Sequence, residues 1–290
     1  MTIRRRTSII LVLAWATFGL TIEQTVRRPA LWGIAKMTFL VSDFDVARNY
    51  YGRFLGFDEA FSYPSDLGDV IAFKVNDRQF LEFVVDKKAR EKKRLVSVSF
   101  ETENAEQMRQ YLSSRGVAVP DKTYFDGAGN EVFTVNDPSG NPVEFIEPKA
   151  NGLHRKSKGQ FLSDRRISER IHHAGLYAEK ITDNDPFYTG ILGFREILRY
   201  PEDRNVPPVI LYLQMPECIE NIEHYSPNDQ NDSHPCFLVD DMQETIYILK
   251  ERRINESLGL PGIGKGKRWI LNLRSADNTR VEFTEAHTVK

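Results

Sequence analysis

Phe80-Leu81-Glu82-Phe83, Pro142-Val143-Glu144-Phe145, Asn221-Ile222-Glu223-His224 and Arg280-Val281-Glu282-Phe283 are four versions of one phrase, an apolar residue followed by Glu on a short β-prone run. Upstream of each Glu another β-prone run begins, and it carries Lys36, Ser97, His173 and His234 in turn. Lys36 to Glu82 spans 46 residues, Ser97 to Glu144 spans 47, His173 to Glu223 spans 50 and His234 to Glu282 spans 48. A recurring interval of this kind marks an internal structural repeat. Only in the second half are the upstream positions histidines, and that is where the sequence places a metal.

Working outward from the phrase gives four units. In the first, Met37–Val41 reads as a strand, followed by a helix with Val46, Ala47, Tyr50, Tyr51 and Leu55 at helical spacing and a terminating Gly56. Strands at 70–75 and 80–85 complete it. The second unit has strands at 96–100, 132–135 and 143–146 around a helix at 105–115. The third has strands at 173–178, 209–214 and 222–225 and a helix at 185–192. The fourth has strands at 234–239, 269–273 and 280–284 and a helix at 242–252. The helix ends Leu55-Gly56-Phe57 and Leu192-Gly193-Phe194 match each other, as do Tyr50-Tyr51 and Phe187-Tyr188 before them. Each unit reads β-α-β-β-β. The expected fold is α+β, with four such modules paired into two domains, each a cupped mixed sheet with helices outside. The expected domains are residues 29–149 and 170–290, joined by a polar, basic linker at 150–169 that contains His154.

The bulk properties are those of a globular chain. Of 290 residues, 41% are hydrophobic and 28% charged, enough for two ordinary domains. A net charge of −2 recruits neither nucleic acid nor anionic membrane, and no nucleic-acid-binding signature stands out. Arg4-Arg5-Arg6 followed by the apolar run from Ile9 to Leu20 reads as an export signal over residues 1–28, or as an uncleaved N-terminal membrane anchor. The run is short for a membrane span. Two cysteines, Cys218 and Cys236, form no framework and are read as unpaired.

Together the helix endings, the Ser42-Asp43 cap and the turn Asp137-Pro138-Ser139-Gly140-Asn141 before Pro142-Val143-Glu144 resemble the vicinal oxygen chelate superfamily. That group contains glyoxalases, bleomycin and fosfomycin resistance proteins and type I extradiol dioxygenases. The resemblance covers about Ile34 to Ala286, and the four-module length is most similar to the dioxygenases. It implies a metal-free first domain and a divalent metal (Fe, Mn, Ni or Zn) held in the second by His173, His234 and Glu282. Glu223 stands where the glyoxalase-like branch supplies a fourth ligand. Two imidazoles and one carboxylate leave open positions for oxygen chemistry; four protein ligands favour a lyase, an isomerase or a transferase.

The chain departs from the dioxygenase pattern at Asn272, near the position of that family's Tyr, and in the absence of His from 260–268. His224 flanks Glu223 and is a candidate acid–base group. His172 precedes His173, and strand alternation sends it to the opposite face. Lys265, Lys267 and Arg268 lie in a glycine-rich basic stretch that reads either as a lid over an anionic substrate or as a solvated loop. Lys36 and Ser97 replace the histidines in the first half, so the Lys36 ammonium is expected to stand beside Glu82 and Glu144 in place of a cation. The expected function is a metal-dependent enzyme acting on a small oxygen-bearing molecule at a dioxygenase-like site. The alternatives are a four-ligand lyase or isomerase and a resistance-type binding protein.

Overall fold

A computed structural model describes residues 26–91, 93–226, 233–252 and 258–289. Most of the expected export signal therefore lies outside the described residues. Among them, no helix is long and apolar enough to cross a membrane.

The described chain forms two eight-stranded sheets. The first comprises β1 (Leu31–Val41), β2 (Asp58–Ser65), β3 (Gly68–Lys74), β4 (Phe80–Val85), β5 (Leu95–Thr102), β6 (Tyr124–Phe125), β7 (Glu131–Asn136) and β8 (Pro142–Glu147), in the order β2-β3-β4-β1-β5-β8-β7-β6. The second comprises β9 (Ile171–Tyr177), β10 (Arg195–Tyr200), β11 (Ile210–Gln214), β12 (Asn221–Tyr225), β13 (His234–Val239), β14 (Gly262–Ile263), β15 (Arg268–Arg274) and β16 (Arg280–Thr288), in the order β10-β11-β12-β9-β13-β16-β15-β14. The two orders are identical, which is the repeat expressed as topology. The outermost strands β2, β6, β10 and β14 carry weak patterns: Asp58–Ser65 is exposed along much of one side, and Gly262–Ile263 sits in the glycine-rich stretch. Such edge strands are specified by pairing with a neighbour more than by their own alternation.

Register fixes the equivalences between the halves. Lys36 pairs with Phe80 and Ser99, as His173 pairs with Asn221 and Cys236. Ser99 pairs with Glu144, as Cys236 pairs with Glu282. Thr38 pairs with both Glu82 and Ser97, as Gly175 pairs with both Glu223 and His234. Lys36, Glu82, Ser97 and Glu144 are thus the counterparts of His173, Glu223, His234 and Glu282.

Among the described residues, α1 (Phe44–Ala47), α2 (Ala105–Ser114), α4 (Ile181–Asp185) and α5 (Met242–Glu251) cross the outer faces, and the short α3 (Leu153–Lys156) lies over the cup of the first sheet. Where the sequence predicts one continuous helix, α1 and α4 open into π-helical turns at Arg48–Phe54 and Pro186–Ile191. The wider turn lets consecutive aromatics, Tyr50 with Tyr51 and Phe187 with Tyr188, all be buried. Gly56 and Gly193 follow at φ +83° and +79°, the left-handed conformation that ends a helix.

The halves share one core. Phe57 meets Phe237 at a ring separation of 5.1 Å, and Phe100 meets Phe194 at 5.7 Å. Polar contacts repeat the symmetry. The turn residue Asp137 accepts from Tyr188 in the other half, and Asp277 accepts from the backbone and hydroxyl of Ser42. The segment read as a linker packs closely. Lys74 donates to the Ser157 and Gln160 carbonyls, and Arg252 donates to the Arg165 carbonyl. His154, which the sequence places in the polar, basic linker, is buried in the cup of the first sheet. Its Nε2 lies 3.1 Å from Glu82 Oε1, and Phe61 and Phe80 flank its ring.

Candidate metal centre

Four strands of the second sheet each bring one side chain to a common point: His173 on β9, Glu223 on β12, His234 on β13 and Glu282 on β16. All four are buried, and one ligand atom from each can be chosen so that all lie within 4.8 Å of one another. His173 Nε2 is 3.5 Å from Glu223 Oε2 and 3.5 Å from Glu282 Oε1. His234 Nε2 is 3.4 Å from Glu223 Oε2 and 4.0 Å from Glu282 Oε2. The structure thus brings together the three residues that the resemblance implies as ligands and Glu223, the candidate fourth.

Their donor atoms fit a divalent cation. His173 Nε2 and Glu223 Oε2 are buried and have no hydrogen-bond partner among the described residues. Burial raises the Glu223 carboxyl, yet the imidazoles of His173 and His234 beside it prevail and hold it well below the usual carboxylate range. Glu282 is also lowered: burial and the neighbouring Glu223 charge push it up, and the two imidazoles pull it down. Two buried carboxylates of like sign facing two imidazole nitrogens form a set that a divalent ion completes. The remaining carboxylate oxygens are held elsewhere. Tyr212 donates to Glu223 Oε1 at 2.9 Å, and Arg280 donates to Glu282 Oε2 at 2.6 Å. Asn272, the departure noted in the sequence, accepts from Arg280 Nε at 2.7 Å and so orients that guanidinium.

Gly175 is a site residue that the sequence reading passed over. The His234 ring lies against its Cα, and a Cβ there would run into the ring. Its counterpart Thr38 faces the small Ser97. The signal was the paired change, Thr with Ser in one half and Gly with His in the other.

His173, Glu223 and Glu282 open onto a cavity of about 750 Å³. Ile210, Ile263 and Ile270 give it an apolar wall, and Lys265, Arg268 and Arg280 give it positive charge. Lys265 lies 4.1 Å above the Tyr200 ring. Neither Lys265 nor Arg268 has a carboxylate within ion-pair distance among the described residues. Lys267 is exposed and does not line the cavity, because the β14–β15 turn directs it outward.

Two other histidines differ from expectation. His224 lies on the opposite face of β12 from Glu223, fully buried against Tyr188 at a ring separation of 4.7 Å. Burial lowers it to about 3. It does not reach the cavity, so it is no acid–base group there. His172 does line the cavity. Alternation fails at this point because β9 carries an extra residue: His173 pairs with Cys236, but Phe237 pairs with Ile171, leaving His172 in a bulge. Burial and the adjacent His173 and Arg268 lower it to about 3, so it is neutral.

Residues 33–145 match the Glyoxalase/Bleomycin resistance protein/Dioxygenase superfamily. No curated protein matches the sequence significantly. Among solved structures, the fold is similar to the 2,3-dioxygenase LapB from Pseudomonas sp. KL28. The TM-score is 0.71 at 15% identity, over 90% of this chain and 94% of that one. It is also similar to homoprotocatechuate 2,3-dioxygenase from Brevibacterium fuscum in complex with 3,4-dihydroxyphenylacetate, with a TM-score of 0.67, 18% identity and coverage of 89% and 82%. The enzyme of the same name from Arthrobacter globiformis gives 0.66 at 16% identity, over 89% and 80%. At these identities the likeness is one of fold.

Proposed function

We propose that this chain, whose residues 33–145 match the Glyoxalase/Bleomycin resistance protein/Dioxygenase superfamily and whose second sheet has the same strand order as the first, is a divalent-metal enzyme with its active site in the second sheet. The observation that carries this is the convergence of His173, Glu223, His234 and Glu282 at the base of an open cavity. A divalent metal held there supplies Lewis acidity, polarising substrate oxygens and lowering the pKa of an attached hydroxyl. The set of two histidines and two glutamates favours the four-ligand reading, a lyase or isomerase, over the three-ligand oxygenase. Asn272 at the Tyr position points the same way. The Tyr212 hydroxyl supports the dioxygenase reading, because its bond to Glu223 gives that carboxylate a partner outside the ligand set.

The cavity also suggests a substrate class. The two glutamates offset a divalent charge, and Lys265 and Arg268 then remain without acidic partners beside an apolar wall. Glu282 pairs with Asn272, Thr284 with Ile270 and Thr288 with Arg268. Arg268 thus stands four residues along β15 from the ligand level, roughly 13 Å at the usual rise of a strand. We read the substrate as a small molecule with neighbouring oxygens at one end, an apolar body, and an anionic group at the other. The basic and apolar start of the chain supports export, which N-terminal sequencing of protein recovered outside the cytoplasm checks.

Elemental analysis tests the central claim. The purified protein is expected to carry close to one Fe, Mn, Ni or Zn per chain, and His234→Ala to lose most of it. A chain that is isolated metal-free and takes up none of these ions overturns the metal-site reading.

A further inference from the structure

The bulge at His172 has a counterpart in the first sheet. There Ile34 pairs with Phe100 and Lys36 with Ser99, which leaves Ala35 as the extra residue. Ala35 is buried against Val132 and Ile146 and has only a packing role. The second sheet keeps the same bulge but puts an imidazole on it. That imidazole turns toward the ligand side of the sheet, and its Nδ1 lies 3.1 Å from His173 Nδ1. Two imidazole nitrogens at this separation share one proton, with one ring donating and the other accepting.

We propose that His172 is a positioning residue of the metal centre, accepting the Nδ1–H of His173 so that Nε2 of His173 is left facing Glu223 and Glu282. This rests on the metal-site reading above. A ligating histidine commonly donates its far N–H to a fixed acceptor, which sets both tautomer and ring orientation. Among the described residues, no carboxylate or backbone carbonyl hydrogen-bonds to His173 Nδ1. The thiol of Cys236 also lies beside the ring, but sulfur is a weak acceptor next to an imidazole nitrogen.

The bulge itself is clamped from the other half of the molecule. Gln79 is buried; its Nε2 donates to the Ile171 carbonyl at 3.0 Å, and its Oε1 accepts from the Ile171 N–H at 2.8 Å. Ile171 is the residue immediately before His172. Gln79 thus acts as a one-residue extension of the sheet at the point where the bulge interrupts normal pairing. A bulge held in this way re-aims a side chain reproducibly. The half that lacks ligand histidines therefore helps to shape the site in the half that has them.

Titration of the metal-free full-length chain with Co²⁺ alone, followed by its visible absorption and by competition with a chelator, tests this. His172→Leu removes the acceptor at similar size, and His172→Asn keeps an oxygen close to the Nδ1 position. The expected result is a 10- to 100-fold weaker Co²⁺ affinity and an altered cobalt spectrum for His172→Leu, with most of both restored in His172→Asn. The melting midpoint of the metal-free protein should stay the same in all three, which separates positioning from loss of structure. If His172→Leu binds Co²⁺ with parental affinity and spectrum, the inference is wrong and the metal site stands. Equal loss in both variants also overturns it. If the parent chain binds no Co²⁺, the site reading falls and this inference falls with it. Should His172→Leu fail to fold, His172→Ala read against His172→Asn gives the same comparison.

Discussion

Lys36 and His173 hold the same register position in the two sheets, and each faces the two repeat glutamates of its own half. The Lys36 ammonium lies 2.9 Å from Glu82 and 3.3 Å from Glu144. His173 Nε2 lies 3.5 Å from Glu223 and 3.5 Å from Glu282. In the first cup a covalently attached cation neutralises the carboxylates, helped by the Tyr63 hydroxyl 2.6 Å from Glu82 and by His154. In the second, among the described residues, no lysine stands between the carboxylates: Arg280 pairs with the outer oxygen of Glu282 at 2.6 Å, and the imidazoles of His173 and His234 face the rest.

The Lys36 charge is therefore structural. Lys36→Met is expected to destabilise the protein by about 3–5 kcal/mol, the usual consequence of removing one partner of a buried ion pair. Metal binding in the second half should survive. A thermal or urea melt reads the first effect and elemental analysis the second; an unchanged midpoint rejects the buried pair.

Acid should weaken the first cup in a defined window. Burial opposes the Glu82 charge, but attraction to Lys36 outweighs it and brings the carboxyl down from 4.5 to about 2. A depressed carboxyl contributes stability that is fully present above its unfolded pKa and is lost as pH falls through its folded pKa. Stability is thus expected to decline between about pH 4.5 and pH 2. Glu82→Gln should lower stability at neutral pH and flatten that decline. Glu106, a partly exposed carboxyl lowered to about 2 by Arg109, titrates in the same window, and Glu106→Gln is the control. An undiminished slope in Glu82→Gln contradicts the assignment.

Gly175→Ala tests a close approach. The added methyl runs into the His234 ring, so the imidazole has to swing away from the other ligands. Metal affinity should fall at least tenfold, about 1.4 kcal/mol at 25 °C, while the counterpart substitution Thr38→Ala should leave it unchanged. Equal metal content in Gly175→Ala and the parent would falsify the crowding argument.

The number of ligands is decided by Glu223. In the four-ligand site Glu223→Gln and Glu282→Gln weaken metal binding alike. If Glu223 lies outside the set, only Glu282→Gln does so. A structure of the metal-loaded protein with Glu223 oxygens well beyond ~2.5 Å, the outer edge of oxygen-ligand bonding, removes it from the coordination sphere.

The edge strands β2, β6, β10 and β14 and the order of strands in each sheet came from pairing in the structure, whereas the four copies of the phrase, their intervals and the central strands were legible in the sequence. Those features are periodic, and equivalent positions of like modules point the same way. Register then made Lys36, Glu82, Ser97 and Glu144 the counterparts of the candidate ligands. Tertiary structure decided what is not periodic. A one-residue bulge carried His172 to the face that alternation denied it. Packing of the 153–156 turn placed His154 in the first cup, where a basic, polar stretch had no pattern to announce burial. Strand alternation sends His224, next to Glu223, to the far side of the sheet, and the turn at Lys267 sends that side chain outward. Gly175 matters only because another strand brings His234 against it, a contact between residues 59 positions apart that no local pattern encodes.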